Sequence, residues 1–151
     1  MANLDTIAKA VESARELAFE AERYIWRNPE TGWKEVKTNK YMAERFEKLG
    51  YELTYAENTT GFYTYLDTGK PGPCVLIMAE LDSVICPTHP ESDPETGSVH
   101  ACGHNAQCAA LLAIAKALKC EEVTEDLCGR IKLMAVPAEE LLEIGFRQDL
   151  R

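Results

Sequence analysis

Histidine is scarce in this sequence: there are three in 151 residues, and none follows His104. No apolar run reaches the roughly 18 residues that a membrane-spanning helix requires, so a transmembrane protein is not expected. The start of the chain, Met1-Ala2-Asn3-Leu4-Asp5, lacks a basic segment leading into an apolar one. No secretory signal is therefore read there, and a cytoplasmic location is expected. Basic residues are outnumbered, with 16 Lys and Arg against 25 Asp and Glu. The resulting net charge of −9 argues against nucleic acid or an anionic membrane as partner, because both call for a basic face. The acids are dispersed along the chain, as suits a solvated surface. Repeats, low-complexity tracts and linkers are also missing, and the length suits one domain.

Six cysteines are present, but they form neither a Cys-x-x-Cys pair nor a small disulfide framework. Cys74, Cys86, Cys108, Cys120 and Cys128 are expected as buried small hydrophobes in a reducing compartment. Cys102 stands apart because of its neighbours.

Apolar spacing gives the elements. Leu4, Ile7, Val11, Ala14, Ala18, Ala21 and Ile25 recur every three or four residues, which predicts one helix over 4–26 packed on a sheet. Asn28-Pro29-Glu30-Thr31-Gly32 breaks it. A second helix is expected over 36–49, stopping at Gly50. Residues 51–56 and 61–66 read as strands joined by a polar turn. Cys74–Ala79 is continuously apolar, as in a strand buried on both faces, and Arg130–Val136 reads likewise. Residues 86–98 form the longest loop, and a helix is expected over 103–119. Helices alternating with strands predict an α/β domain with three α/β/α layers around a mixed, largely parallel sheet.

Three segments then fall at strand or loop ends, where open α/β sheets bind ligands. They are Glu80-Leu81-Asp82, the cluster Val99-His100-Ala101-Cys102-Gly103-His104-Asn105, and Pro137-Ala138-Glu139-Glu140. Thiolate, imidazole and carboxylate together suit zinc and neighbouring transition metals. Gly103 allows unusual backbone angles between Cys102 and His104, so both side chains can turn to one site. Of two adjacent carboxylates, one can bind metal while the other takes a proton from water. His100 is read either as a hydrogen-bonding support to a ligand or as an ordinary loop residue. His89, in an acidic proline-rich loop, is read as exposed.

These motifs resemble the dinuclear-metal amidohydrolase and peptidase family of aminoacylases, hippurate hydrolases, auxin-conjugate hydrolases and carboxypeptidase-like enzymes, in its Cys-Gly-His branch. Asn28-Pro29-Glu30-Thr31-Gly32-Trp33 and Ala79-Glu80-Leu81-Asp82 are similar to further segments of that family, in the same order. The resemblance implies a zinc-peptidase-like catalytic domain with two divalent ions, whether zinc, manganese, nickel or cobalt. It implies that Cys102 is a ligand bridging the two ions, that His104 and Glu140 are ligands, and that Glu139 is the general base. Asp82 would support the site from behind. The implied substrate is a small N-acyl amino acid or short peptide cleaved at its amide, and a homo-oligomer is a possible state.

Two departures accompany the resemblance. The branch usually follows Cys-Gly-His with Asp and, two residues later, His, where this chain has Asn105 and Gln107. Family members also continue past the Glu-Glu pair into a lid or dimerisation domain and the rest of the catalytic domain, with further histidine ligands. The expectation is therefore that residues 1–151 are a truncated N-terminal part of a metallohydrolase catalytic domain, ending within a helix near Gln148–Arg151, with an incomplete site and little activity alone. The alternative is a natural short form acting as a non-catalytic binding or self-association module. A single closed structural zinc site is disfavoured, because four protein ligands are not visible.

Overall fold

The computed structural model describes residues 3–141. The helix expected near Gln148–Arg151 lies outside them. Six short strands and five helices follow in the order α1 (Leu4–Glu12), α2 (Arg15–Trp26), α3 (Val36–Lys48), β1 (Thr54–Tyr55), β2 (Phe62–Asp67), β3 (Cys74–Glu80), β4 (Val84–Ile85), β5 (Ser98–Val99), α4 (His104–Ala117), α5 (Glu121–Thr124) and β6 (Arg130–Val136). A single 3₁₀ turn, Glu139–Leu141, ends the described chain.

The one helix predicted over 4–26 is two. The Ser13 hydroxyl donates back to the Ala10 carbonyl at 2.7 Å, and Ala14 N–H turns to Val11 O instead of continuing the ladder. The Ser13 carbonyl receives the Lys116 ammonium from α4, which fixes the break. The apolar stripe packs chiefly against α4 rather than directly on the sheet, and Ala14, Ala21 and Ile25 are fully buried there. Leu4, Ile7 and Val11 of α1 stay substantially exposed.

The main sheet has the strand order β1-β2-β6-β3, with β3 parallel to β6 and the other pairs antiparallel. It is mixed, as expected, though only one of its three described pairings is parallel where a largely parallel sheet is expected. Alternation of side chains gives it two different faces. Phe62, Thr64 and Leu66 of β2 align with Ala135, Leu133 and Ile131 of β6, and these with Ala79, Ile77 and Val75 of β3. This face meets α3 and α4; Phe46 of α3 contacts the Phe62 ring edge to face at 5.3 Å. The opposite face carries Tyr63, Tyr65, Lys132, Met134, Leu76 and Met78. Among the described residues, helices cover one face of this sheet.

β3 is not buried on both faces, as its composition predicts. It forms the edge of the described sheet, and Val75, Leu76 and Met78 are each about half exposed. An apolar run reports a strand's affinity for cover, not the cover itself. The expectation for the cysteines also needs correcting. Only Cys108 is buried, Cys86 and Cys120 are partly exposed, Cys74 and Cys128 are exposed, and all are free thiols.

Tyr51 ties the helical layer together. Its ring packs on Phe46, and its hydroxyl donates to the Ala115 carbonyl of α4 at 2.8 Å. Burial pushes its pKa up to about 12. The unfolded chain therefore releases this proton first, and the stability Tyr51 contributes is intact below pH 10 and lost as pH rises toward 12. Tyr51→Phe is expected to cost about 1 kcal/mol at neutral pH. It should also flatten the alkaline loss of stability between pH 10 and 12, measured by urea unfolding. An equally steep alkaline limb in the variant would show that Tyr51 does not report this burial.

Candidate metal centre

The site forms where the parallel strands β3 and β6 end side by side. Glu80 closes β3 and pairs with Val136, the last residue of β6. Leu81 N–H continues the pairing to Val136 O at 2.9 Å, which sets Asp82 beside the Pro137–Glu140 turn. The third contributor is the start of α4. Gly103 precedes it at φ +105°, in the left-handed region, with no atom within 4 Å of where a Cβ would stand. Its role is conformational: it lets Cys102 and His104 face one space.

His104 is the centre of the arrangement and is 2% exposed. Its Nδ1 faces Asp82, 3.0 Å from the carbonyl oxygen and 3.3 Å from Oδ1. Its Nε2 faces the open side, 2.9 Å from Glu80 Oε2, 3.7 Å from Glu140 Oε1 and 3.9 Å from Glu139 Oε2. Asp82 is fully buried and also accepts the Glu140 N–H through Oδ2 at 2.8 Å. One buried carboxylate therefore fixes both the imidazole and the backbone of the acid pair.

The electrostatics follow from this crowding. The Asp82 contact, reinforced by Glu80, pushes the pKa of His104 up to about 9 against the opposing effect of its burial. Burial alone would raise Asp82, but the imidazole and the Glu140 N–H outweigh it and hold Asp82 below its ordinary value. The Glu140 carboxylate beside Cys102, with Glu139 and Glu80 nearby, pushes that thiol up to about 11. The same carboxylates that favour a proton on Nε2 and on the thiol favour a cation between them.

Two overlapping donor sets result. Cys102, His104 and Glu140 offer ligand atoms all within 4.8 Å of one another, and so do Glu80, His104 and Glu139. Glu140 Oε1 is buried with no hydrogen-bond partner, as an oxygen aimed at a cation would be. The donors are one sulfur, one nitrogen and carboxylate oxygens, which fit a borderline transition ion. These residues could hold such an ion.

All five candidates from the sequence (Asp82, Cys102, His104, Glu139 and Glu140) come together here. His100 does not support a ligand by hydrogen bonding. It is buried with neither ring nitrogen partnered, and burial lowers its pKa to about 4. His89 lies in the surface loop, where its Nδ1 accepts the Glu91 N–H at 3.1 Å.

Two further carboxylates have no role in the sequence reading: Glu80, though it lies in a candidate segment, and Glu35. Glu80 contacts His104 directly, and its place one residue beyond an apolar run, two before Asp82, was the available signal. Glu35 is far away in sequence and fully buried, and its Oε1 accepts the Ala138 N–H at 2.8 Å. Nothing in its local pattern marks it.

The two departures at the start of α4 are both engaged. Asn105 Nδ2 donates to Glu22 Oε1 at 2.8 Å. Gln107 Nε2 donates to Glu80 Oε2 at 3.2 Å, and Gln107 Oε1 lies 3.4 Å from the Glu80 N–H.

Known proteins resemble this chain in sequence and fold. Residues 76–148 match the model of peptidase family M20/M25/M40. IAA-amino acid hydrolase ILR1-like 4 of Arabidopsis thaliana is 38% identical over 121 residues, covering 78% of this chain and 27% of that protein. Hippurate hydrolase of Campylobacter jejuni is 31% identical over 126 residues, covering 81% and 32% respectively. The crystal structure of a protein described as an aminohydrolase, from methicillin-resistant Staphylococcus aureus, superposes with a TM-score of 0.78 at 28% identity, covering 91% of this chain and 36% of that one. The chain thus spans about a third of the length of the relatives it matches. Its strand-end carboxylates, Cys-Gly-His turn and Glu pair lie on a fold shared with that Staphylococcus aureus structure, in a chain whose residues 76–148 resemble peptidase family M20/M25/M40.

Proposed function

We propose that this chain supplies one rim of the active site of a metal-dependent amidase acting on N-acyl amino acids or short peptides. The observation that carries this is the pair of donor sets sharing His104, built from three strand and helix ends at 4.8 Å or less between ligand atoms. Hydrolases of acylated amino acids among the relatives support the substrate class.

In this reading Cys102, His104 and Glu140 hold one ion, and Glu80 or Glu139 reaches toward a second. Bound there, divalent ions supply Lewis acidity toward an amide carbonyl and toward the attacking water. Asp82 keeps the imidazole oriented by engaging Nδ1, so that Nε2 points into the site. Glu139, the more exposed of the pair, takes a proton from the attacking water and returns it to the leaving nitrogen as the C–N bond breaks. Among the described residues the two donor sets share His104 and offer too few ligands to hold two ions firmly, so activity is expected to be slight.

Zinc titration by calorimetry tests the site. The chain should bind weakly, with less than two ions per molecule. Cys102→Ala, His104→Ala and Glu140→Ala should each weaken binding by about tenfold or more. His89→Ala, in the surface loop, should leave it unchanged. Two tightly held ions per chain would overturn the reading of an incomplete site, and undiminished binding by the Cys102 variant would remove that residue from it.

A second reading is favoured by one observation. Val75, Leu76 and Met78 leave the edge and outer face of β3 half exposed and apolar, a surface fit for self-association. If the chain acts as an association module, sedimentation velocity should show dimers or larger species that Leu76→Lys disperses. A monomer at high concentration would dismiss that reading.

A further inference from the structure

Two of the three non-glycine residues with positive φ in the described chain are held by a single oxygen of one buried carboxylate. Trp33 has φ +64° and Ala138 has φ +60°. Glu35 Oε1 accepts the N–H of both, at 3.0 Å and 2.8 Å. Its other oxygen, Oε2, accepts the Thr60 hydroxyl at 2.8 Å. Glu35 stands immediately before α3, is fully buried, and thus joins three segments remote in sequence: the turn after α2, the β1–β2 turn and the exit from β6.

A left-handed alanine is disfavoured on its own, because its Cβ crowds the backbone. It persists only where the surroundings over-determine it. Ala138 immediately precedes Glu139 and Glu140, and its conformation decides where those side chains point. The turn is pinned on both sides of Glu139: Ala138 N–H by Glu35 and Glu140 N–H by Asp82. Without the first pin, Ala138 is free to return to ordinary backbone angles, and both carboxylates leave the space faced by His104.

We propose that Glu35 is a positioning residue for the metal centre, holding Ala138 in the left-handed conformation that aims Glu139 and Glu140 at His104. The proposal rests on the reading of that cluster as a metal site, but its mechanism has its own readout. Glu35→Gln retains Oε1 as acceptor for both amides and can donate to Thr60 in place of accepting. Glu35→Ala removes the acceptor.

The experiment uses the intact 151-residue chain. Zinc affinity is measured by calorimetry, and protection of the Ala138 amide by hydrogen exchange. Glu35→Ala should lower zinc affinity about tenfold and abolish Ala138 protection, while Glu35→Gln stays within about twofold of the parent on both counts. Glycine adopts positive φ without strain, so in an Ala138→Gly background the loss caused by Glu35→Ala should shrink to about threefold. If Glu35→Ala does not fold, Glu35→Leu fills the same space without an acceptor and carries the same expectation. Unchanged Ala138 protection in the acceptor-free variant overturns the proposal, as does a full tenfold loss in the Ala138→Gly background. If the parent chain binds no zinc, the metal-site reading fails, and the exchange result alone decides whether Glu35 holds the turn.

Discussion

Two buried carboxylates, Glu35 and Asp82, carry the backbone of the turn at the end of β6, and the geometry of the centre depends on them. Each is fully buried and each accepts a main-chain N–H from that turn, one on either side of Glu139. An ionised carboxylate removed from water without partners is costly, so each takes polar neighbours beyond the turn. Asp82 also faces the His104 imidazole, and Glu35 also accepts Trp33 N–H and the Thr60 hydroxyl. Burial still raises the Glu35 pKa despite these bonds. The site is thus built on groups that its own backbone must satisfy. Moving the turn would take a main-chain donor from both acids together, which makes the arrangement stiff.

The segment Asn28–Glu35 extends this bracing to the other strand end. The Glu30 carboxylate accepts from Lys37 and Thr38 N–H at the start of α3, capping a helix that has no side-chain cap from its own Ncap residue. The Glu30 carbonyl accepts both the N–H and the hydroxyl of Ser83, next to Asp82. Pro29 O accepts the Ser98 hydroxyl of β5, close to the Cys-Gly-His turn. One short irregular segment therefore reaches the neighbourhoods of Asp82, His104 and Glu139. A break between two helices, read by itself as punctuation, is what ties the contributors to the centre together.

Local chemistry was legible in the sequence where a residue's neighbours define its role. Gly103 between a thiol and an imidazole, the Glu pair after an apolar strand, and Asp82 after another all meet at one place because parallel strands end on the same side. Long-range partnerships were not legible. Glu35 lies 103 residues from the amide it holds, and no period or spacing links the two. The break at Ser13 depends on a lysine 103 residues away for its carbonyl's partner. Burial was misjudged for the same reason. Cys74–Ala79 has the composition of a central strand, yet its exposure is set by which strands lie beside it, and only β6 does among the described residues. The two readings of His100 could not be separated by its place in the sequence, and in the fold neither of its ring nitrogens has a hydrogen-bond partner.

Asn105 and Gln107 show how a departure from a family pattern is weighed against its surroundings. An aspartate at 105 would set its carboxylate against that of Glu22, which Asn105 now meets as a donor at 2.8 Å. Two carboxylates at that separation repel unless one takes a proton. A centre that already gathers Glu80, Asp82, Glu139 and Glu140 around one imidazole loses a neighbouring negative charge through the amide, and Glu22 gains a partner. Gln107 also meets a carboxylate as a donor. It holds Glu80 by a side-chain contact at 3.2 Å, and Glu80 is the carboxylate nearest to His104 Nε2. Both positions set neutral amide donors against carboxylates at the edge of the centre. Glu80, rather than a residue of α4, is the carboxylate most directly engaged with the imidazole.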